Sequence, residues 1–263
     1  MLAALVFVPS APLLVPELAG PAASDTQPVR RAVFDAVAAA RELGIDRWVA
    51  LGTADAATAG RVCEPVRGTF ARFGVDVPVA TDTVTPTAAG SPTVTAADNA
   101  LDGTTPRMSL SVLIAGWVAE RMSLGPLHVC SVGSTTPPAD CAALGAELSA
   151  PLEEGTERVA VLVVGDGSTA LTDKAPGGGR RESAVALNDA VVAALGSADT
   201  SALAALDPQQ CDVEGVGGRV AWQVAAGLVG DRRARGALDF ADAPFGVGYV
   251  VATWTVEHGG RDR

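Results

Sequence analysis

Residues Arg158 to Gly179 read RVAVLVVGDGSTALTDKAPGGG, and this stretch decides the fold. Val159 to Val164 is an unbroken apolar run, too short for a lone helix, and it has the pattern of a strand buried on both faces. The run stops at Gly165-Asp166-Gly167-Ser168-Thr169, where glycines allow backbone angles that other residues resist. An acid and two hydroxyls are therefore expected just past the carboxyl end of a buried strand. In α/β sheets that rim is the usual place for a ligand. The plain alternative is a strand exit closed by an Asp/Ser turn.

Further along the same stretch, Lys174 is the only lysine in a chain with 19 basic residues. It lies between Asp173 and the loop Pro176-Gly177-Gly178-Gly179. A lysine there can serve as a point charge for an anion or as an amine of adjustable pKa. The simpler reading is a solvated loop side chain.

Working outward, strand and helix signals alternate. Residues 3–8 read as a strand, edge or central, with Pro9-Ser10-Ala11-Pro12 as a rigid loop at its end. Pro28 opens a helix to about Leu43, with Gly44 as its stop. Trp48 to Gly52 reads as a second strand, ending in Thr53-Ala54-Asp55. Residues 60–106 are the least regular, with a short strand Val75–Val79 and a long loop excursion over 80–106. A helix follows over Met108–Met122, then a strand over Leu127–Val132 and a helix over Pro138–Leu148. Beyond the central motif, helices are expected over Arg180–Leu195, Thr200–Leu206 and Gly218–Val229. Gly246 to Val256, GVGYVVATWTV, reads as a closing strand, with a flexible tail over 257–263. No repeat or linker divides the chain, so one domain is expected over 1–263: an α/β three-layer sandwich, a mostly parallel or mixed sheet between helices.

Composition narrows the function classes. With 48% hydrophobic side chains over 263 residues, the chain can bury one large core. A formal net charge of −11 argues against nucleic-acid or anionic-membrane partners, because phosphates call for a basic face. No apolar run reaches the roughly 18–20 residues that span a bilayer. MLAALVFV has no positive segment before it and prolines follow it, so it reads as a strand in a cytoplasmic protein. Cys63, Cys130, Cys141 and Cys211 show no CxxC or zinc spacing and read as small buried hydrophobes. His128 and His258, the only histidines, form no ligand cluster.

There is no GxxxxGK[ST], no GxGxxG after a strand and no GxSxG elbow. Ser168 sits on a strand-to-loop turn as an esterase serine would, but neither histidine is placed as its base. Three strand ends can converge: Ser10 after the first, Asp55 after the second, Asp166 and Thr169 after the central one. Two carboxylates brought together would shift each other's pKa or hold a hard cation such as Mg²⁺. Otherwise each aspartate caps a turn or a helix N-terminus.

At these positions the chain resembles the subunit-B superfamily of class III extradiol ring-cleavage dioxygenases, which also contains the Memo-like proteins. FVPSAPLLVPELAG (residues 7–20) resembles that family's strand-loop VPHPPLL. WVALGTAD (48–55) resembles its second strand with a Ser/Pro-His turn, and VLVVGDGSTALTDKAPGG (161–178) its GDLSH segment. GVGGRVAWQVAAG (215–227) is similar to its CGR helix start, and FGVGYVVATW (245–254) to its last strand.

The resemblance implies the dioxygenase scaffold and, in active members, a non-haem Fe(II) held mainly by histidines at the first two strand ends. Here Ser10 and Asp55 stand at those positions, Thr169 replaces the catalytic histidine and Gly217 the cysteine. Asp166 alone matches unchanged, while Glu214 lies nearby in sequence as a carboxylate. Fe(II) that activates O₂ takes two imidazoles and a carboxylate. The expectation is therefore a divergent member without an iron cofactor or ring cleavage. It would keep a polar cleft for a small polar or anionic molecule, with Asp166, Thr169, Asp55 and Ser10 as catalytic candidates. Ser168, Lys174, Arg180, Arg181 and Glu214 are the ligand-binding candidates. Two other expectations stand beside it: a scaffold acting through an oligomer or partner interface, and a Mg²⁺ enzyme using Asp55 and Asp166.

Overall fold

A computed structural model describes residues 1–55, 57–82 and 107–257. Its centre is a seven-stranded sheet in the order β3-β6-β2-β7-β1-β9-β8. The strands are β1 (Leu2–Val8), β2 (Arg47–Ala54), β3 (Arg61–Val62), β6 (Leu127–Gly133), β7 (Val159–Val164), β8 (Ala234–Asp242) and β9 (Tyr249–Val256). β6, β2, β7 and β1 run parallel. β3 closes one edge in antiparallel fashion, and β9 with β8 extends the other. A separate hairpin pairs β4 (Arg67–Thr69) with β5 (Pro78–Ala80).

Helices cover both faces, giving a three-layer α/β sandwich. On one face α2 (Gln27–Arg41) and α3 (Leu110–Met122) pack on Ala4, Val6, Val8, Leu162 and Val251. On the other, α4 (Pro138–Glu154), α5 (Glu182–Ser197) and α8 (Arg219–Val229) cover Leu5, Phe7, Val161, Val163 and Trp254. The alternation of neighbours between the two cores follows from the two-residue period of a strand. It explains why β1 and β7 are apolar throughout: both of their faces are covered. Phe7 and Trp254 stack across β1 and β9 at 4.6 Å, and the Trp254 indole donates to the Leu195 carbonyl at 2.5 Å. A fully buried indole keeps its polar handle paired in this way.

Smaller helices complete the chain: α1 (Pro16–Ala19), α6 (Thr200–Ala204) and α7 (Pro208–Glu214). Asp199 and Asp207 cap α6 and α7 by accepting from Ala202 N and Gln210 N. β1 is central, between β7 and β9. The strand expected over Val75–Val79 is instead Pro78–Ala80, because it pairs in register with Arg67–Thr69. β8 and α7 correspond to no element read from the sequence. The closing strand begins at Tyr249, since Gly246 and Gly248 are used as loop partners of the central turn. α4 runs past Leu148 through Pro151 to Glu154. Most of the expected 80–106 excursion, and all but Glu257 of the expected tail, lie outside the described residues. Three cysteines are buried as expected, but Cys63 is exposed. Burial pushes the Cys211 thiol up to about 11. Among the described residues no helix is long and apolar enough to cross a membrane.

Candidate functional site

Register places three strand exits side by side. Val8 of β1 and Gly52 of β2 both pair with Val164 of β7, so Ser10, Asp55 and Asp166 follow at one rim of the sheet. The central turn is held from below by main-chain bonds. Gly165 N donates to Val8 O at 3.0 Å, Gly218 N to Asp166 O at 2.8 Å and Gly167 N to Gly248 O at 2.8 Å. Gly167 is required there because an added Cβ would lie 2.2 Å from Asn188 Oδ1. That same Asn188 oxygen accepts Ser168 N at 3.2 Å.

Asp166 is the one candidate that this shell leaves largely uncompensated. Its Oδ1 accepts the Ser10 amide at 2.7 Å. Protein crowds it closely although a part of its surface meets solvent. Burial pushes its carboxyl up to about 7, against the opposing pull of the Ser10 N–H. Desolvation disfavours the charged form of an acid, and one amide cannot restore what water supplied. Tyr249, the first residue of β9 and the chain's single tyrosine, is buried beside it. Its phenol is pushed well above the usual tyrosine range, first by burial and then by the Asp166 charge. Tyr249 is the member of this site that sequence reasoning missed. The available signal was its uniqueness, directly after the Gly246-Val247-Gly248 loop.

The other candidates are committed to the structure. Ser168 is fully buried, with its hydroxyl donating to Glu214 O at 2.6 Å and accepting Ala170 N. Thr169 fits against Gly215, whose backbone is left-handed (φ +67°) and where a Cβ would lie 2.0 Å from the Thr169 hydroxyl. Glu214 is buried and accepts from Arg181 Nε at 2.8 Å and Ser183 Oγ at 2.7 Å. The Ser183 and Arg181 bonds hold its carboxyl below the usual range. Arg181 spends its other nitrogens on Gly177 O and Val213 O. These three side chains build the wall behind the turn, so they do not fit the ligand-binding role expected for Ser168, Arg181 and Glu214. Arg180 pairs with Glu182 at the surface. Lys174 is exposed.

Asp55 reaches the rim but is used there as a clamp. One oxygen meets Arg72 at 2.5 Å and the other accepts Leu110 N at 3.3 Å. Leu110 is the first residue of α3, so Asp55 caps that helix, an arrangement favoured by the orphan amides of a helix start. Fe(II), which the resemblance implies for active members, takes imidazoles, and none of these three strand exits presents one. Ser10 presents an N–H to Asp166, and Asp55 faces a guanidinium. Among the described residues no group of three His, Cys, Asp or Glu gathers as a metal site.

At the opposite end of the sheet a groove of about 720 Å³ opens between the C-terminal ends of α4 and α8. Its Arg232 is paired with Glu153 and Ser149, and the groove shares no residue with the rim.

The molecule is thus an α/β sandwich with an acid-bearing turn at the carboxyl ends of its parallel strands. No protein-family model matches the chain, and no curated protein does. Among solved structures it is similar to an uncharacterized protein, JW3007, from Escherichia coli K12. That similarity has 16% identity and a TM-score of 0.48, and it covers 96% of this chain and 99% of the other.

Proposed function

We propose that this protein is a catalytically divergent member of the extradiol dioxygenase subunit-B superfamily that binds a small polar molecule at the Asp166 rim. In this reading it works by proton transfer and not by Fe(II) ring cleavage. The carrying observation is Asp166 itself, whose carboxyl sits near 7. A general acid or base is most effective when its pKa lies near the working pH, and perturbed carboxyls gather at functional sites. Ser10 N positions the carboxyl, Tyr249 stays a neutral phenol beside it, and the exposed Lys174 offers a cation to an anionic ligand. Asp55, already committed to Arg72 and α3, supports neither a Mg²⁺ pair with Asp166 nor a catalytic role.

The test is a thermal-shift screen at pH 7 with catechols, carboxylic acids, phosphorylated metabolites, Mg²⁺, and Fe(II) with a catechol. A hit among the organic compounds alone is expected, and Asp166→Asn should weaken its binding about tenfold, the size of one charge-assisted hydrogen bond. A shift that requires Fe(II) with a catechol, or a hit indifferent to Asp166→Asn, would overturn the proposal.

A further inference from the structure

We propose that β8 is a self-association edge, through which two copies of this chain join their sheets in antiparallel fashion about a twofold axis at Ala237. The inference rests on a part of the fold remote from Asp166 and stands apart from the functional reading above. β8 ends the sheet: it pairs with β9 on one side, and no strand among the described residues pairs with the other. A terminal strand carries a row of unpaired amides and carbonyls, and proteins ordinarily blunt such edges with short length, charged side chains, proline or a bulge. The opposite edge, β3, is two residues long. β8 has nine residues, ARGALDFAD, without proline or lysine; its charges are of both signs and its register shift falls between Leu238 and Phe240, to one side of Ala237.

The sequence of this edge is complementary to itself. About Ala237 it reads Arg235-Gly236-Ala237-Leu238-Asp239, so reversing its direction exchanges the cation with the anion. Arg235 and Asp239 lie on one face of the sheet. Arg235 pairs in register with Thr255 and Ala237 with Thr253, and the Thr253 hydroxyl donates to Asp239 Oδ2 at 2.7 Å. Asp239 keeps to that face by ordinary strand alternation, and it is the residue without a ladder partner where the register shifts between Leu238 and Phe240. In a twofold pairing centred on Ala237, Arg235 stands opposite Asp239 of the partner subunit, and Asp239 opposite Arg235 of the partner subunit. Opposite charges directly across an antiparallel pair are favourable; Arg235 meets Glu257 of its own chain through Nε at 2.7 Å and is otherwise exposed, so the pairing would share its guanidinium between two carboxylates. On the other face Leu238, 46% exposed, would stand opposite Gly236 of the partner subunit. Gly236 carries no side chain because the backbone of Gly196 and Ala198 lies 2.6 Å from where its Cβ would be. An isologous twofold contact needs this kind of self-complementarity, and an unrelated peptide would meet it only by coincidence.

Sedimentation of the full chain between about 1 μM and 1 mM tests the proposal over the range of ordinary dimer affinities. A monomer–dimer equilibrium is expected. Arg235→Asp, which sets acid against acid at both ends of the pairing, should weaken the dimer about tenfold or more. The exchanged variant Arg235→Asp/Asp239→Arg carries the same charges in reverse order and should restore association to within about threefold of wild type. A chain that stays monomeric throughout, a dimer indifferent to Arg235→Asp, or an exchanged variant as weak as the single one would each overturn it.

Discussion

Asp166 and Glu214 flank the same turn. The main-chain oxygen of Asp166 accepts Gly218 N, while that of Glu214 accepts Ser168 Oγ and Thr169 N. Glu214 is enclosed by protein and Asp166 is closely packed with part of its surface at solvent, and their carboxyls are held in opposite states. Glu214 has a guanidinium and a hydroxyl aimed at its two oxygens and stays ionised. Asp166 has one amide and a phenol for company, and burial pushes its carboxyl up to about 7. Burial raises the Asp166 carboxyl because a single amide opposes it, whereas at Glu214 the bonds from Ser183 and Arg181 outweigh desolvation. One carboxylate is spent on architecture and the other remains available for chemistry.

The largest effect should come from breaking the architectural partner. Glu214→Ala leaves Arg181 Nε and Ser183 Oγ facing a hole beside the turn, and an orphaned partner costs more than the pair contributed. A fall in melting temperature on the order of 10 °C is expected for such a loss in a chain of this size. The same substitution should loosen Ser168 and Thr169, read as faster amide exchange over 166–171. A melt indistinguishable from wild type would show that the contrast between the two acids is not structural.

The second effect is smaller, and its sign separates the two acids. A raised acid such as Asp166 contributes stability that is fully present below its ordinary value of 3.8 and is lost as pH rises through about 7. A depressed acid such as Glu214 does the reverse. Its contribution is present above the ordinary 4.5 and is lost as pH falls through the lowered value. Asp166→Asn keeps an oxygen for the Ser10 amide and removes the titration. Urea melts at pH 5 and pH 8 should therefore show wild type losing stability towards the higher pH, and the variant losing less. At pH 8 the variant should equal or exceed wild type. Equal slopes in the two proteins would place the Asp166 carboxyl at an ordinary value and remove the basis for a proton-transfer role.

How much of this was legible in the residues differs between the same two groups. The run Val159–Val164 and the glycines after it were enough for a buried strand and its exit, because both faces of β7 are covered and the pattern is one of local burial. The convergence of Ser10 and Asp166 followed from the strand-helix alternation, which forces parallel strands and so gathers their carboxyl ends at one rim. β8 was not legible. Its ARGALDFAD is half-exposed and interrupted by an irregular register, so neither a two-residue alternation nor an apolar run marks it. The roles of Arg181 and Glu214 were hidden for another reason. A charged side chain looks available in sequence, and only the fold brings it to a partner 33 positions away. Tyr249 was legible only as a rarity, since its place beside Asp166 depends on Gly248 being bonded to both Gly167 and Ser168.

The smallest effect belongs to Asp55, which the sequence could not tell apart from Asp166. Both follow a buried strand by a short step, and both stand at the same rim. Asp55, however, has half-exposed oxygens, with side-chain exposure of 48% against 27% for Arg72. A pair in contact with water and one capping bond to Leu110 N are together worth about 1 kcal/mol. Asp55→Ala should cost that amount in urea melts, and about half of it in high salt, where exposed charges are screened. Ligand binding at the Asp166 rim should not change. A binding defect matching that of Asp166→Asn would mean that the two acids act together. The division between a structural and a chemical carboxylate would then have been drawn in the wrong place.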